Sequence, residues 1–195
     1  MCKRVYVSYR WQEPIEGITR NWLVPSINAT GFRCVIDVKD CAYKGRIDKF
    51  EEEIGSAERI VIMLSQQFYY SDQCMYEVAL ITKNDNLDRR LFPVNIGDYQ
   101  HNNAFYHRLL EHWDEEERIV SEYLKTHDYG LEPFQEKMNR LNLIKENSGK
   151  FWSHISNENF LNFSAVSENN FKMIRDLFGG VIQVAGFTPV TEKDV

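Results

Sequence analysis

Five consecutive residues, Ile60-Val61-Ile62-Met63-Leu64, are apolar, three of them β-branched, and the run is closed by Arg59 on one side and Ser65 on the other. A strand with one wet face alternates apolar and polar side chains. A run this short and without alternation must be covered on both faces, which is the position of a central strand in a parallel sheet with helices above and below. The rest of the chain therefore has to supply further strands and two helical layers.

Candidates stand in the right order. Arg4 to Tyr9 (Arg-Val-Tyr-Val-Ser-Tyr) is β-rich and ends in polar residues, as a buried strand does when it reaches a loop. Ile18, Trp22, Leu23 and Ile27 recur at helical spacing, with Pro25 requiring a kink or a restart and Gly31 placed to stop the helix. Phe32 to Val38 is a second strand with Asp37 near its carboxyl end, followed by a loop from Lys39 to Gly45. Arg46 to Ala57 is predicted as an amphipathic helix, with Ile47, Phe50 and Ile54 inward and Glu51-Glu52-Glu53 as its charged face. Phe68 to Lys83 gives a helix with Cys74, Val78 and Ile81 on one stripe. Leu91 to Ile96 gives a fourth strand, whose Pro93 is tolerable near a strand start or at a sheet edge. The order β-α-β-α-β-α-β implies right-handed crossovers and a ligand crevice at the carboxyl ends of the strands.

The pattern then changes. Phe105 to Lys125 reads as one long helix or two short ones around the acidic Asp114 to Glu117, with a break at Tyr129-Gly130. Met138 to Lys145 is a further helix that Ser148-Gly149 should end, and Phe151 to Phe163 is aromatic without a clear period. Ser167 caps a last amphipathic helix through Phe171, Ile174, Leu177 and Phe178, and the tail from Thr188 is polar. We expect one domain, with its core in residues 1–98 and about 165–187, a helical insertion over about 99–164, and a tail at 188–195.

Charge and composition narrow the function classes. With 29 acidic against 23 basic residues the net charge is −6, which gives no electrostatic reason for a nucleic-acid or anionic-membrane partner. No apolar run of membrane-spanning length occurs, and Met1-Cys2-Lys3-Arg4-Val5 runs directly into the first strand, so a cytoplasmic protein is expected. Cys2, Cys34, Cys41 and Cys74 form no Cys-x-x-Cys pair and read as reduced, packed thiols.

Several motifs, taken in order, resemble one family. Val5-Tyr6-Val7-Ser8-Tyr9-Arg10 is similar to the first-strand motif of TIR (Toll/interleukin-1 receptor) domains, and Gly31-Phe32 with Ile36-Asp37-Val38 is similar to their second strand and the start of their BB loop. Gly45 fits the glycine near that loop's end, and Ile60 to Ser65 resembles the third strand. Ser71-Asp72-Gln73-Cys74-Met75-Tyr76-Glu77 resembles the helix motif Ser-x-Trp-Cys-x-x-Glu, with Gln73 in place of tryptophan, and Phe92 to Ile96 resembles the fourth strand. The likeness covers about half the chain, to Asp98. It implies a flavodoxin-like, three-layer α/β TIR fold with a central parallel sheet, here carrying the helical insertion.

That resemblance implies either NAD cleavage of the bacterial TIR type or scaffolding by self-association. By resemblance Glu77 is the catalytic carboxylate; as a lone helix glutamate it would ordinarily face solvent. Nicotinamide in NAD is already a cationic pyridinium and departs neutral, so a single carboxylate beside the developing oxocarbenium ribose suffices without a general acid. Ser8, Tyr9, Arg10 and Trp11 lie at the first strand's carboxyl end, where amides, a guanidinium and aromatic faces can hold a pyrophosphate and a base; packing and surface charge are the alternative readings. Asp37 either touches a ribose or caps its loop, the commoner role, while Gly45 and Cys74 complete the substrate-binding set. The loop tip at Tyr43 and Lys44 gates the pocket or contacts a second TIR domain.

NAD is then substrate, with no cofactor and no metal. Activity is expected to depend on TIR–TIR self-association, and the product, ADP-ribose or a cyclic ADP-ribose-type signal, to act on a separate effector, as in Thoeris-like antiphage defence. The alternative is a non-catalytic TIR adaptor or a virulence factor. His107 and His112 lack the HExxH spacing of a zinc hydrolase and read as surface residues, and neither a GxGxxG or Walker-type phosphate loop nor GxSxG occurs.

Overall fold

The computed structural model describes residues 3–36, 47–84, 86–97, 101–156 and 161–162. Asp37, Gly45, the loop between them, the last helix from Ser167 and the polar tail lie outside the described residues. Five parallel strands form one sheet: β1 (Arg4–Tyr9), β2 (Arg33–Val35), β3 (Ile60–Leu64), β4 (Leu91–Asn95) and β5 (Leu161–Asn162), in the order β2-β1-β3-β4-β5. All five residues of β3 are fully buried. Ile60, Ile62 and Leu64 pack into one core layer and Val61 and Met63 into the other, which explains why the run shows no alternation.

One layer is built by the segment after β1. It comprises α1 (Ile15–Ile18), a π-helical turn (Thr19–Leu23) and α2 (Val24–Asn28), with Pro25 in the first turn of α2. The proline restarts the helix after the wide turn, because its missing N–H costs nothing there. Gly31 follows at φ +82°, a left-handed stop that a side chain would strain. The opposite layer contains α3 (Ile47–Ser56), the short α4 (Gln66–Tyr69), α5 (Asp72–Lys83) and the one-turn α6 (Leu87–Arg90). The helix expected over Phe68 to Lys83 is thus two: Ser65 caps the first by accepting from the Phe68 N–H, and Ser71 caps the second by accepting from the Cys74 N–H.

Pro93 is the third residue of β4, inside the sheet. The Ile96 N–H donates to the Leu64 carbonyl (2.7 Å), so strand alternation aims the Phe92 and Val94 amides at β3 and the Pro93 nitrogen away from it. β5 pairs only with Val94 and Asn95, beyond the proline. The missing donor therefore falls where no described strand asks for it.

Beyond the sheet, α7 (Asn103–Thr126) and α8 (Glu132–Ser156) form an antiparallel hairpin laid against α5. The helix predicted to stop at Ser148-Gly149 runs through both residues. A mid-helix glycine costs only about 1 kcal/mol, whereas continuing buries Phe151, Trp152 and Ile155, with the Trp152 ring stacked on Tyr106 (4.7 Å). Lys137 joins Glu116 and Asp72, and Lys145 joins Asp114 and Glu117, so the acidic run of α7 serves to pair its neighbour. No described helix is long and apolar enough to cross a membrane.

Candidate functional site

The site forms where β1 ends and α5 begins. Strand alternation sends Tyr6 and Ser8 to the α5 side of the sheet and Val5, Val7 and Tyr9 to the other. Ser8 is thereby placed under α5, and its hydroxyl donates to Glu77 Oε2 at 2.6 Å. Glu77 is 3% exposed, so the surface fate usual for a helix glutamate does not apply to it. Its other oxygen accepts from Gln73 Nε2 (3.3 Å), one helical turn earlier.

A cavity of about 320 Å³ opens beside this carboxylate, lined by Tyr9, Arg10, Trp11, Ser71, Gln73, Cys74 and Glu77. Of the eight residues singled out in the sequence, five (Tyr9, Arg10, Trp11, Cys74 and Glu77) line this one cleft, and Ser8 holds Glu77 from below. Trp11 lines the cleft and is 51% exposed. Arg10 is exposed and donates to Ser71 Oγ (3.1 Å), the hydroxyl that also caps α5. Two further cavities, of about 380 and 390 Å³, each border Arg10 and Tyr70, so the guanidinium sits where three spaces meet. The cleft itself falls at the lower end of the range for small-molecule sites.

Gln73, at the position of the motif's tryptophan, turns out to bind two carboxylates. Its Nε2 donates to Glu51 Oε1 (2.7 Å) as well as to Glu77, using both amide protons. Glu51, read from the sequence as part of a charged outer face, is 2% exposed. It lies four residues after Ile47 and three before Ile54, and that spacing, on the apolar stripe of α3, is the signal that would have placed it inside. Arg140 of α8 closes the cluster with both terminal nitrogens on Glu51 (2.9 and 3.2 Å), its guanidinium carbon 4.3 Å from the centre of the Tyr76 ring. Nothing in the local sequence singles Arg140 out, because its partner lies 89 residues away.

The histidines divide. His107 is exposed on α7, paired with Glu111 (3.4 Å). His112 is not a surface residue as expected: it is half-buried, its Nε2 enclosed and its ring edge-on to Tyr70 (5.0 Å) and Trp113 (4.7 Å). Cys34 and Cys74 are buried free thiols. Among the described residues no group of three or more His, Cys, Asp or Glu is placed to hold a metal ion.

Comparison with known proteins accords with this geometry. The family profile described as "TIR domain" matches residues 5–122, more than half of the chain and reaching most of the way along α7. Among solved structures, the chain resembles the TIR domains of the activated Roq1 resistosome directly recognizing the pathogen effector XopQ. The TM-score is 0.58 at 14% identity, covering 90% of this chain and 99% of that one, a likeness of fold. No curated protein matches. A parallel sheet of TIR order, the cleft at its carboxyl edge and the family match over β1 to α7 lead to one conclusion: the chain belongs to the TIR domain family.

Proposed function

We propose that this TIR domain cleaves the nicotinamide–ribose bond of NAD, with Glu77 as the catalytic carboxylate. The observation that carries the reading is a buried glutamate, held by Ser8 and Gln73, on the wall of a cleft that also presents Arg10 and Trp11. A scaffold needs none of this. A carboxylate buried among apolar neighbours is costly unless hydrogen-bonded, and a chain that only self-associates gains nothing by turning one toward a cavity.

The chemistry follows from the charges. Nicotinamide leaves with the bonding electron pair and becomes neutral, and the positive charge moves to C1′ and the ring oxygen of the ribose. Glu77 supplies negative charge beside the ribose and carboxylate oxygens of the kind that accept from ribose hydroxyls. Water then adds to C1′ and releases a proton, giving ADP-ribose. Attack by a nitrogen of the adenine would give a cyclic product instead. Trp11 offers a stacking face for a flat base, and Arg10 a guanidinium for the pyrophosphate. Asp37 and Gly45, which lie outside the described residues, are proposed as further substrate contacts.

Self-association is part of the proposal. The structural relative is described as an assembled resistosome, and that supports a role for a neighbouring copy here. Use of the product as a defence signal in an antiphage system, in the cytoplasm, is the setting we propose. The experiment is nicotinamide release from NAD over a range of protein concentrations, with the product identified by mass spectrometry. A rate that rises faster than in proportion to protein and vanishes in Glu77→Ala supports the reading. Equal turnover in Glu77→Ala overturns it, and an inert wild-type protein at concentrations where it assembles favours the adaptor.

A further inference from the structure

The cluster behind the cleft is more elaborate than a helix surface requires. Gln73 gives one amide proton to each of two buried carboxylates, so the Glu51 and Glu77 oxygens it joins lie at most about 6 Å apart. Two carboxylates at that distance in a buried setting repel, and Arg140, in the second helix of the hairpin, delivers the compensating charge. Arg140 meets Glu51 with both terminal nitrogens, and its Nη1 also reaches the Gln73 carbonyl oxygen (3.5 Å). That contact fixes the amide with its nitrogen toward the carboxylates, since the flipped amide would aim its carbonyl oxygen at both. Arg140 is itself steadied by the Tyr76 ring and by Glu136 (3.5 Å). The order is continuous: Arg140, Glu51, Gln73, Glu77, Ser8.

We propose that Arg140, Glu51 and Gln73 are positioning residues for Glu77, so that the α7–α8 hairpin sets the orientation and charge of the carboxylate at the cleft. The inference rests on Glu77 being the group that acts on NAD, but it makes a claim that can be read without turnover. Among the described residues, the polar and charged groups around Glu77 include Ser8 from β1, Gln73 on its own helix, Glu51 from α3, Arg140 from α8 beyond Glu51, and Arg10 on the cleft wall. Removing Arg140 takes from Glu51 its cation among the described residues, and the Glu51 charge then acts on Glu77 through one amide. Removing Glu51's charge as well abolishes the effect.

The test follows the Glu77 carboxyl by carbon-13 NMR in protein labelled at glutamate, the resonance assigned by its loss in Glu77→Gln. Arg140→Met should raise the Glu77 titration midpoint by about one unit or more, and lower kcat about tenfold with KM within about twofold. The double variant Glu51→Gln/Arg140→Met should return both to near the wild-type values, a rescue that a merely structural role for Arg140 does not give. If Arg140→Met fails to fold, Gln73→Met, which cuts the chain at its centre, should raise the midpoint in the same direction. A folded Arg140→Met or Gln73→Met with an unmoved midpoint overturns the proposal. A midpoint that moves in a protein that never releases nicotinamide upholds the positioning and defeats NAD cleavage, so the two claims fail separately.

Discussion

Consider the stability of the Arg140–Glu51 pair, apart from any activity. Glu51 is 2% exposed and Arg140 24%, so this is one carboxylate out of water held by a guanidinium at the edge of the core. With charge centres about 4 Å apart and an effective dielectric near 20, their attraction is about 4 kcal/mol. Breaking a buried pair by removing one partner costs about 3–5 kcal/mol, because the remaining charge stays buried. The partial exposure of Arg140 lets water reach Glu51 once the guanidinium is gone, and Gln73 still donates, so about 2–3 kcal/mol is expected for Arg140→Met. Methionine keeps most of the apolar contact with Tyr76 but loses the cation over its ring, a further loss of about 0.5–1 kcal/mol. Glu51→Gln in the Arg140→Met background removes the orphaned charge and should recover about 2 kcal/mol of that loss. Urea denaturation of the wild type, both single variants and the double gives the coupling directly. A strongly non-additive cycle is predicted; losses that add within about 0.5 kcal/mol would show that the pair contributes nothing as a pair and refute the reasoning.

Two further predictions concern the hairpin. His101 Nε2 shares a 2.6 Å hydrogen bond with the Tyr69 hydroxyl, beside the Trp152 ring, and burial lowers its pKa to about 4 from 6.5. The unfolded chain therefore takes up this proton first, so stability should fall as pH drops from about 6.5 to about 4 and level off below; the melting-temperature slope over that window should flatten in His101→Gln. Gly149 is exposed in the middle of α8, and a Cβ there would meet only Tyr106 Oη at an ordinary 3.5 Å, so Gly149→Ala should stabilise by about 0.5–1 kcal/mol in the same denaturation assay.

What the sequence made legible follows from which signals are local. β3 announced itself because both faces of a central strand are apolar, and β1 and β4 followed from their short β-rich runs. The cleft was legible through family likeness: Tyr9, Arg10 and Trp11 at one strand end and Cys74 and Glu77 at the start of one helix do meet. Ser8 was read as a ligand contact, and its Oγ donates to Glu77, a link the sequence reading did not include. The split at Tyr70-Ser71 escaped because two serine caps six residues apart can both be satisfied only by interrupting the helix. Gly149 misled because a local breaker signal was outweighed by aromatic burial further along. Glu51 and Arg140 escaped for a related reason: a buried charge looks like a surface charge until its partner is known, and here each partner comes from a different part of the chain.

The central claim is that Glu77 acts through its charge. Glu77→Gln keeps the side-chain volume and the capacity to accept from Ser8, so the fold should survive with an unchanged or higher melting temperature. A full charge about 5 Å from the developing oxocarbenium is worth about 3 kcal/mol at an effective dielectric near 20, which is at least about a hundredfold in rate. Single-turnover release of nicotinamide from NAD, with wild type and Glu77→Gln compared at equal assembly state, reads this directly. The account predicts a fall of about a hundredfold or more in the folded variant; release within about threefold of wild type would contradict it.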